Sequence, residues 1–418
     1  MGRKYVFAAV AATALTAATF SCSKATDTAV VTPSRGLYIA SGQCNSGLGI
    51  TTYSSSTSSR LVSKVNLSSG AMSFFLDLSS PYQGGNLLQE TSPQSLVDDG
   101  ANVLMLTENA TIAGTGERRI FTIPKASPYN MSIYSTDYNA LTPTPAHITR
   151  ALAKNVDGTL LFSKSVSIEK IGTNSLRIPM GANAWVNAPA APCSSSATLM
   201  SSVIALPPFS PATVGKVLFA HNDTVAANNR MGIVSQDGYS VAADCTGGVQ
   251  VSGVAHTYAS NVTGPLPIIF AAGGVNVTSM IYISTGTGTG KVIASYSAAT
   301  AAELNNNANL NYAIVMWDVT EASTTLSTLT NPVVLYRDFS TIFGVSAMAY
   351  DDTTGVLYVA TASQPGVANQ TTSGYAYKVE KFTLNITTPS LTLVQVNNKP
   401  FVERSSATKC ISSMIVAE

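Results

Sequence analysis

The sequence predicts an all-β chain built from a repeated four-stranded unit, and three observations carry that prediction. One hairpin pattern recurs, most plainly where Val345-Ser346-Ala347-Met348-Ala349 runs into Asp351-Asp352-Thr353-Thr354-Gly355 and returns as Val356-Leu357-Tyr358-Val359-Ala360. A small-residue strand, a polar turn and a more apolar strand have the period and turn chemistry of a β-hairpin. From residue 36 onward short strands and turns follow one another with almost no helical periodicity. Charged residues make up only 11% of the chain, against roughly 25% in a typical globular protein. Hydrophobic residues reach 45%, with abundant Ser, Thr, Asn and Gly, which suits an exported β-rich chain and not a disordered one.

A net charge of +1 without any basic run excludes the electrostatic footprint of a nucleic-acid binder. Residues 1–21 read as an export signal: Gly2-Arg3-Lys4 is a basic start, and residues 5–18 are an alanine-rich apolar stretch too short to span a membrane. Ala18-Thr19-Phe20-Ser21-Cys22 resembles a bacterial lipobox, with Thr19 where such boxes usually carry Leu. The resemblance implies that Cys22 is lipidated and becomes the mature N-terminus, with residues 22–35 as a tether; ordinary cleavage near Ser21 is the alternative. No later segment reaches the roughly 18–20 uninterrupted apolar residues of a transmembrane helix, so membrane contact is expected through the lipid anchor only. Of five cysteines, setting Cys22 aside leaves Cys44, Cys193, Cys245 and Cys410. That even set forms two bridges in an oxidising compartment, with three connectivities open.

The units follow in order. Gly36-Leu37-Tyr38-Ile39-Ala40-Ser41 matches Val356-Leu357-Tyr358-Val359-Ala360-Thr361, a second strand whose first strand is missing. Strands at 60–67 and 72–78 follow across Ser68-Ser69-Gly70. The second unit has Gln94-Ser95-Leu96-Val97, the turn Asp98-Asp99-Gly100 and Val103-Leu104-Met105-Leu106, then outer strands at 119–123 and 131–134. The third has strands at 148–152, 160–162, 166–171 and 175–178, with Val156-Asp157-Gly158 as its first turn. The fourth has strands at 200–204, 216–220, 231–235 and 239–243, the last two joined by Asp237-Gly238, a strong hairpin signal. The fifth is expected to open with Val251-Ser252-Gly253-Val254-Ala255 and 268–271. An extra hairpin, 280–284 and 292–296, comes next, then strands at 312–319 and 333–336. The sixth is the opening hairpin plus 377–384 and 391–396. Ile411-Ser412-Ser413-Met414-Ile415 is a first strand without a second, and it completes the orphan at Gly36.

Repetition with a unit split between the termini resembles the β-propeller superfamily, whose ring is closed in that way. Val62-Ser63-Lys64-Val65, Ile168-Glu169-Lys170-Ile171 and Val379-Glu380-Lys381-Phe382 share one form as third strands. Val65-Asn66-Leu67-Ser68-Ser69-Gly70 is similar to the outer turn of YVTN- and WD40-type blades. The resemblance covers residues 36–418 and implies about six four-stranded blades, or seven if the extra hairpin starts a further blade. A repeated WD dipeptide is absent; Trp317-Asp318 occurs once, mid-strand in the fifth unit. Matching Tyr38 to Tyr358 sets Cys44 level with Gln364, and matching Ile411 to Val345 sets Cys410 level with Gly344. If Gly344 faces Gln364 within about a residue, a Cys44–Cys410 disulfide closes the ring and Cys193 pairs with Cys245.

Motifs that imitate chemistry have simpler readings. Gly286-Thr287-Gly288-Thr289-Gly290-Lys291 lacks the first Gly and the Ser/Thr after Lys of a phosphate loop, and opens a strand, so it reads as a hairpin tip. Ser406-Ala407-Thr408-Lys409 has S-x-x-K spacing without an S-D-N or K-T-G partner. Gly344-Val345-Ser346-Ala347 begins like a nucleophile elbow, but Met348 replaces the second Gly. His147, His221 and His256 show no metal-ligand spacing; His147 and His256 fall at first strands and are expected to line a central channel. The doublets Asp98-Asp99 and Asp351-Asp352 occupy equivalent turns, where Asp bonds its own backbone.

Loop lengths divide the ring. First-to-second and third-to-fourth turns are mostly tight. Second-to-third connections (42–59, 109–118, 221–230, 272–311, 362–375) and connections to the next unit (79–93, 135–147, 181–199, 397–410) are long, and the propeller resemblance implies that both emerge on one face, where binding usually resides. The expectation is a non-enzymatic, lipid-anchored extracytoplasmic protein of the bacterial envelope, most readily the outer membrane. It binds a protein or polysaccharide on that face and uses no cofactor or metal. A propeller hydrolase or lactonase with a channel site is the alternative, and a structural subunit of an envelope assembly is a third reading.

Overall fold

The computed structural model describes residues 34–42, 61–78, 91–109, 119–126, 131–135, 151–164, 167–173, 177–178, 199–208, 215–222, 230–235, 275–286, 289–298, 312–321, 327–338, 342–363, 377–403 and 411–418. All of them lie in one compact unit, Pro33–Glu418. The described elements are strands, grouped into six antiparallel sheets: five of four strands and one of three.

Blade one takes its inner strand from the C-terminus. Its order is β23 (Ile411–Ala417), β1 (Gly36–Ser41), β2 (Leu61–Asn66) and β3 (Met72–Asp77). Blade two is β4 (Thr91–Asp99), β5 (Asn102–Asn109), β6 (Arg119–Pro124) and β7 (Ser132–Ser135). Blade three is β8 (Leu152–Lys154), β9 (Leu160–Lys164), β10 (Ser167–Ile171) and β11 (Arg177–Ile178). Blade four is β12 (Leu199–Leu206), β13 (Lys216–Asn222) and β14 (Arg230–Ser235); the fourth strand expected at 239–243 lies outside the described residues. Blade five is β15 (Val275–Gly286), β16 (Thr289–Ala298), β17 (Tyr312–Glu321) and β18 (Ser327–Asp338). Blade six is β19 (Ile342–Asp351), β20 (Val356–Ser363), β21 (Tyr377–Asn385) and β22 (Ser390–Val394).

The inner strands β23, β4, β8, β12, β15 and β19 each neighbour the next, and β19 neighbours β23. Six sheets around one axis, with the first shared by both termini, make a β-propeller. The split blade is seen directly: β1 pairs antiparallel with β23, Gly36 opposite Ala417.

Why these residues fold this way is clearest in the sixth blade. Alternate apolar positions of β20 face opposite neighbours: Tyr358 and Ala360 join one buried cluster, Leu357 and Val359 another. Both sheet faces are covered, so the strand reads as nearly continuous apolar sequence. Each such Leu, Val or Phe contributes roughly 1.5–3 kcal/mol on burial. The turn after β19 is closed by the Gly355 N–H donating to the Asp351 carbonyl at 2.9 Å, with Gly355 at a φ of 69°, a conformation a Cβ disfavours.

Three expectations need correction. The hairpin read as extra is β15–β16, the two inner strands of blade five, so it starts no seventh blade. Val251-Ser252-Gly253-Val254-Ala255 and 268–271, assigned to those places, lie outside the described residues. The stretch taken as one long connection, 272–311, accordingly contains two strands; the connection from β16 to β17 is residues 299–311. Register in blade six also differs: the hairpin turns between Asp351 and Val356 as expected, but Gly344 faces Ala362 and not Gln364. The bulge at Ser346, between the turn and Gly344, shifts that pairing by one residue; a second irregularity at Phe343 lies beyond it.

Candidate functional site

The inner strand of every blade has one ladder partner and leaves its other edge open toward the axis. Such an edge presents unpaired N–H and C=O groups that must be met by side chains, water or a ligand. The chain meets them in two repeated ways. The first is a serine at the same place in four blades. The Ser413 Oγ accepts from the Leu96 N–H, Ser95 from Leu152, Ser202 from Met280 and Ser279 from Met348, each at 3.1 Å and each across to the following blade. In blades three and six the position is held by Ala151 and Ala347.

The second is a β-bulge immediately before that position. Gln94 is the extra residue in β4, Ser201 in β12, Thr278 in β15, Ser346 in β19 and Ser412 in β23. Bulges interrupt the ladder and re-aim side chains, and they concentrate near functional sites. Here all five extra residues are polar and uncharged, whereas the residue two places on is Leu, Val or Met in every case. The Thr278 and Ser295 hydroxyls are bonded at 2.9 Å, and Ser412 donates to the Pro93 carbonyl at 2.8 Å. The Ser346 hydroxyl is buried without a hydrogen-bond partner among the described residues.

These strands surround an axial cavity of about 550 Å³. Its charged lining residues, Arg35, Asp98, Lys154 and Asp352, gather at the tight-turn end, and all are paired. Arg35 donates to Asp351 at 2.7 Å and Asp352 at 2.5 Å, Lys125 to Asp98 at 2.6 Å, and Lys154 to Asp99. Arg35 joins blade one to blade six, and Lys154 joins blade three to blade two. The Asp351 side chain is 1% exposed and also accepts from the Thr354 hydroxyl at 2.6 Å and the Thr353 N–H at 3.2 Å. Burial works to raise its pKa, but those hydrogen bonds and the Arg35 charge hold it below the usual carboxylate range. Burial and the nearby Asp351 push Tyr358 up to about 12.

The aspartate doublets are therefore turn-formers, as expected: Asp98 accepts from the Gly100 N–H at 3.1 Å. Their cationic partners Arg35, Lys125 and Lys154 are far off in sequence and gave no local signal. Gly286 and Thr289 close the β15–β16 hairpin, and Trp317 is buried in β17 with its Nε1–H donating to the Tyr296 hydroxyl at 3.1 Å. His221 lies in β13 opposite Met200. Cys22, Cys44, Cys193, Cys245, Cys410, His147 and His256 lie outside the described residues. The ladder between β1 and β23 ends with Ser41 opposite Ile411, the residue after Cys410.

Sequence reasoning passed over the serine row, although it is legible. Ser95-Leu96, Ala151-Leu152, Ser202-Val203, Ser279-Met280, Ala347-Met348 and Ser413-Met414 repeat one small-then-apolar pair. Pairing also fixes where the long connections begin. The start of each inner strand faces the end of the second: Thr91 faces Asn109, Leu199 Asn222, Val275 Ala298 and Ile342 Ser363. Both long classes thus leave from the end of the blades nearer the bulges. Among the described residues no three His, Cys, Asp or Glu side chains are grouped to hold a metal ion.

No family model matches the chain, and no curated protein matches it. Solved structures are similar in fold. The periplasmic gluconolactonase of Pseudomonas aeruginosa is 10% identical over 92% of this chain and 99% of that one, with a TM-score of 0.42. A protein of unknown function from Bacteroides caccae is 8% identical over 92% and 99%, with a TM-score of 0.41. A putative oxidoreductase (glucose dehydrogenase) from Thermus thermophilus is 12% identical over 77% and 90%, with a TM-score of 0.43. What six sheets about a common axis and a first blade shared by both termini establish is the architecture: the chain is a β-propeller.

Proposed function

We propose that the protein is an exported, lipid-anchored binding protein of the bacterial envelope, most readily the outer membrane. It captures a protein or polysaccharide on the loop-bearing face and performs no catalysis. The observation that carries this reading is the common origin of the long connections at one end of a rigid ring, where binding segments concentrate. Gly36 opens β1 at the tight-turn end of its blade, opposite Asn66 and Ala417. A hydrolase or lactonase using the channel, with His147 or His256, is the competing reading. The carboxylates among the described lining residues, Asp98 and Asp352, are both bonded to cations, which favours the binding role.

Replacing residues 42–59 or 299–311 by short turns tests it. The melting transition should persist while capture of envelope material is lost. A metal-dependent hydrolysis that survives both replacements and disappears in His147→Ala or His256→Ala would transfer the assignment to the hydrolase. The anchor at Cys22 predicts incorporation of a fatty-acid probe in the wild type and none in Cys22→Ala. The register of blade six, with Gly344 opposite Ala362 and not Gln364, no longer singles out Cys44–Cys410 with Cys193–Cys245, so that pairing stands beside the other two connectivities and non-reducing peptide mapping decides among the three.

A further inference from the structure

We infer that the bulged row of the channel is a binding site for a neutral, hydroxyl-rich ligand, of the class of an uncharged sugar residue. This rests on the binding role proposed above and names the chemistry of its ligand.

The cavity excludes the other classes by its lining. A charged ligand needs an uncommitted counter-charge, and the four charged residues among its described lining are paired at the tight-turn end. An apolar ligand would strip water from the open strand edges without replacing its hydrogen bonds. A polyol both donates and accepts, which is what a wall of hydroxyl, amide and backbone groups requires. Gln94, Thr278, Ser279, Ser346, Ser412 and Ser413 supply that wall at and beside the bulges. The volume of about 550 Å³ lies within the usual range of small-molecule sites, roughly 300–1,000 Å³.

The bulges themselves point to more than support of the ring. Each one gives up regular pairing, and the chain repeats the interruption in five blades at one level. Ser346, only 6% exposed, keeps a hydroxyl without a hydrogen-bond partner among the described residues. A buried orphan hydroxyl is a liability for a residue whose role is stability.

Ligand-observed NMR and calorimetry of the full exported chain with glucose, galactose and lactose, and glucuronate as the charged control, test the inference. The wild type should bind at least one neutral sugar, with glucuronate at least about tenfold weaker. Ser346→Ala and Gln94→Leu should each weaken binding about tenfold, and Ser346→Ala should leave the melting temperature unchanged or raised. Neutral-sugar binding that is unaffected by both variants overturns the channel site. If the same binding disappears when residues 42–59 are replaced, the loop-face reading stands without it. Equal binding of glucuronate, or capture of a partner on the loop face with no sugar bound at all, also overturns the inference and spares the broader one. Absence of both sugar binding and partner capture removes the two together.

Discussion

Two kinds of seam hold this ring together. Between blades one and two, two and three, four and five, and five and six, a serine from one inner strand accepts the edge N–H of the next. Between blades three and four and between six and one, Ala151 and Ala347 stand in its place, so the two plain seams face each other across the ring. The closing seam has other support. Arg35 reaches Asp351 and Asp352, and Phe401 lies so close to the β2–β3 turn that a Cβ on Gly70 would sit 2.4 Å from its carbonyl oxygen. The closing seam between six and one is thus clasped from the side, whereas the serine seams are pinned at the axis. Arg35, the residue before β1, is thereby tied to blade six, beside the blade that both ends of the chain share.

The largest effect should come from breaking that clasp. Asp351→Ala removes a buried carboxylate from Arg35, Thr353 and Thr354 and should cost about 3 kcal/mol in denaturant unfolding. An effect below about 1 kcal/mol would show that the apolar packing of the seam suffices alone. Acid should act on the same point. The pKa of Asp351 is depressed on folding, so its contribution is fully present above the ordinary aspartate value of about 3.9 and is lost as pH falls through the depressed folded value. Melting temperature should therefore fall below about pH 4, less steeply in Asp351→Asn than in the wild type. Identical slopes would assign the acid lability to other carboxylates.

The serine pins should matter less. Ser279→Ala or Ser413→Ala leaves one edge N–H without its acceptor, expected to cost about 1 kcal/mol. Water entering the channel can replace part of that bond, so the loss should stay below that of Asp351→Ala. A larger loss than at the clasp would reverse the ranking of the seams.

How far the chain itself announces this arrangement differs by feature. The split blade was legible because Gly36–Ser41 and Val356–Ser363 share the Leu-Tyr-hydrophobic-Ala run, and both face two covered sides. The fifth blade was misread because Val251-Ser252-Gly253-Val254-Ala255 imitates the small-residue form of an inner strand, whereas β15 is long and carries Tyr282 and Ile283. Bulges escaped notice because an extra residue leaves composition and alternation nearly unchanged; only the partner strand reveals the slip. Gly344 facing Ala362 is the direct consequence. The ion pairs that span blades were beyond reach because Arg35 and Asp351 stand 316 residues apart.

The smallest effect is the most discriminating, because it adds a contact instead of removing one. Ala347→Ser and Ala151→Ser place a hydroxyl where four other blades already have one. By that equivalence the new Oγ should accept from the Met414 N–H in the first case and the Val203 N–H in the second. Ala347 is only 4% exposed, but a single oxygen is a small addition at a site where serine is accommodated elsewhere in the ring. Each variant should gain about 0.5–1 kcal/mol, and the two, lying on opposite sides of the ring, should add. Ala347→Ser strengthens a seam already clasped by Arg35, so its benefit should grow when Asp351→Ala is introduced first. A loss of stability in both alanine-to-serine variants would mean that the plain seams are spaced differently from the pinned ones, and that equivalence in sequence does not carry over to equivalence at the axis.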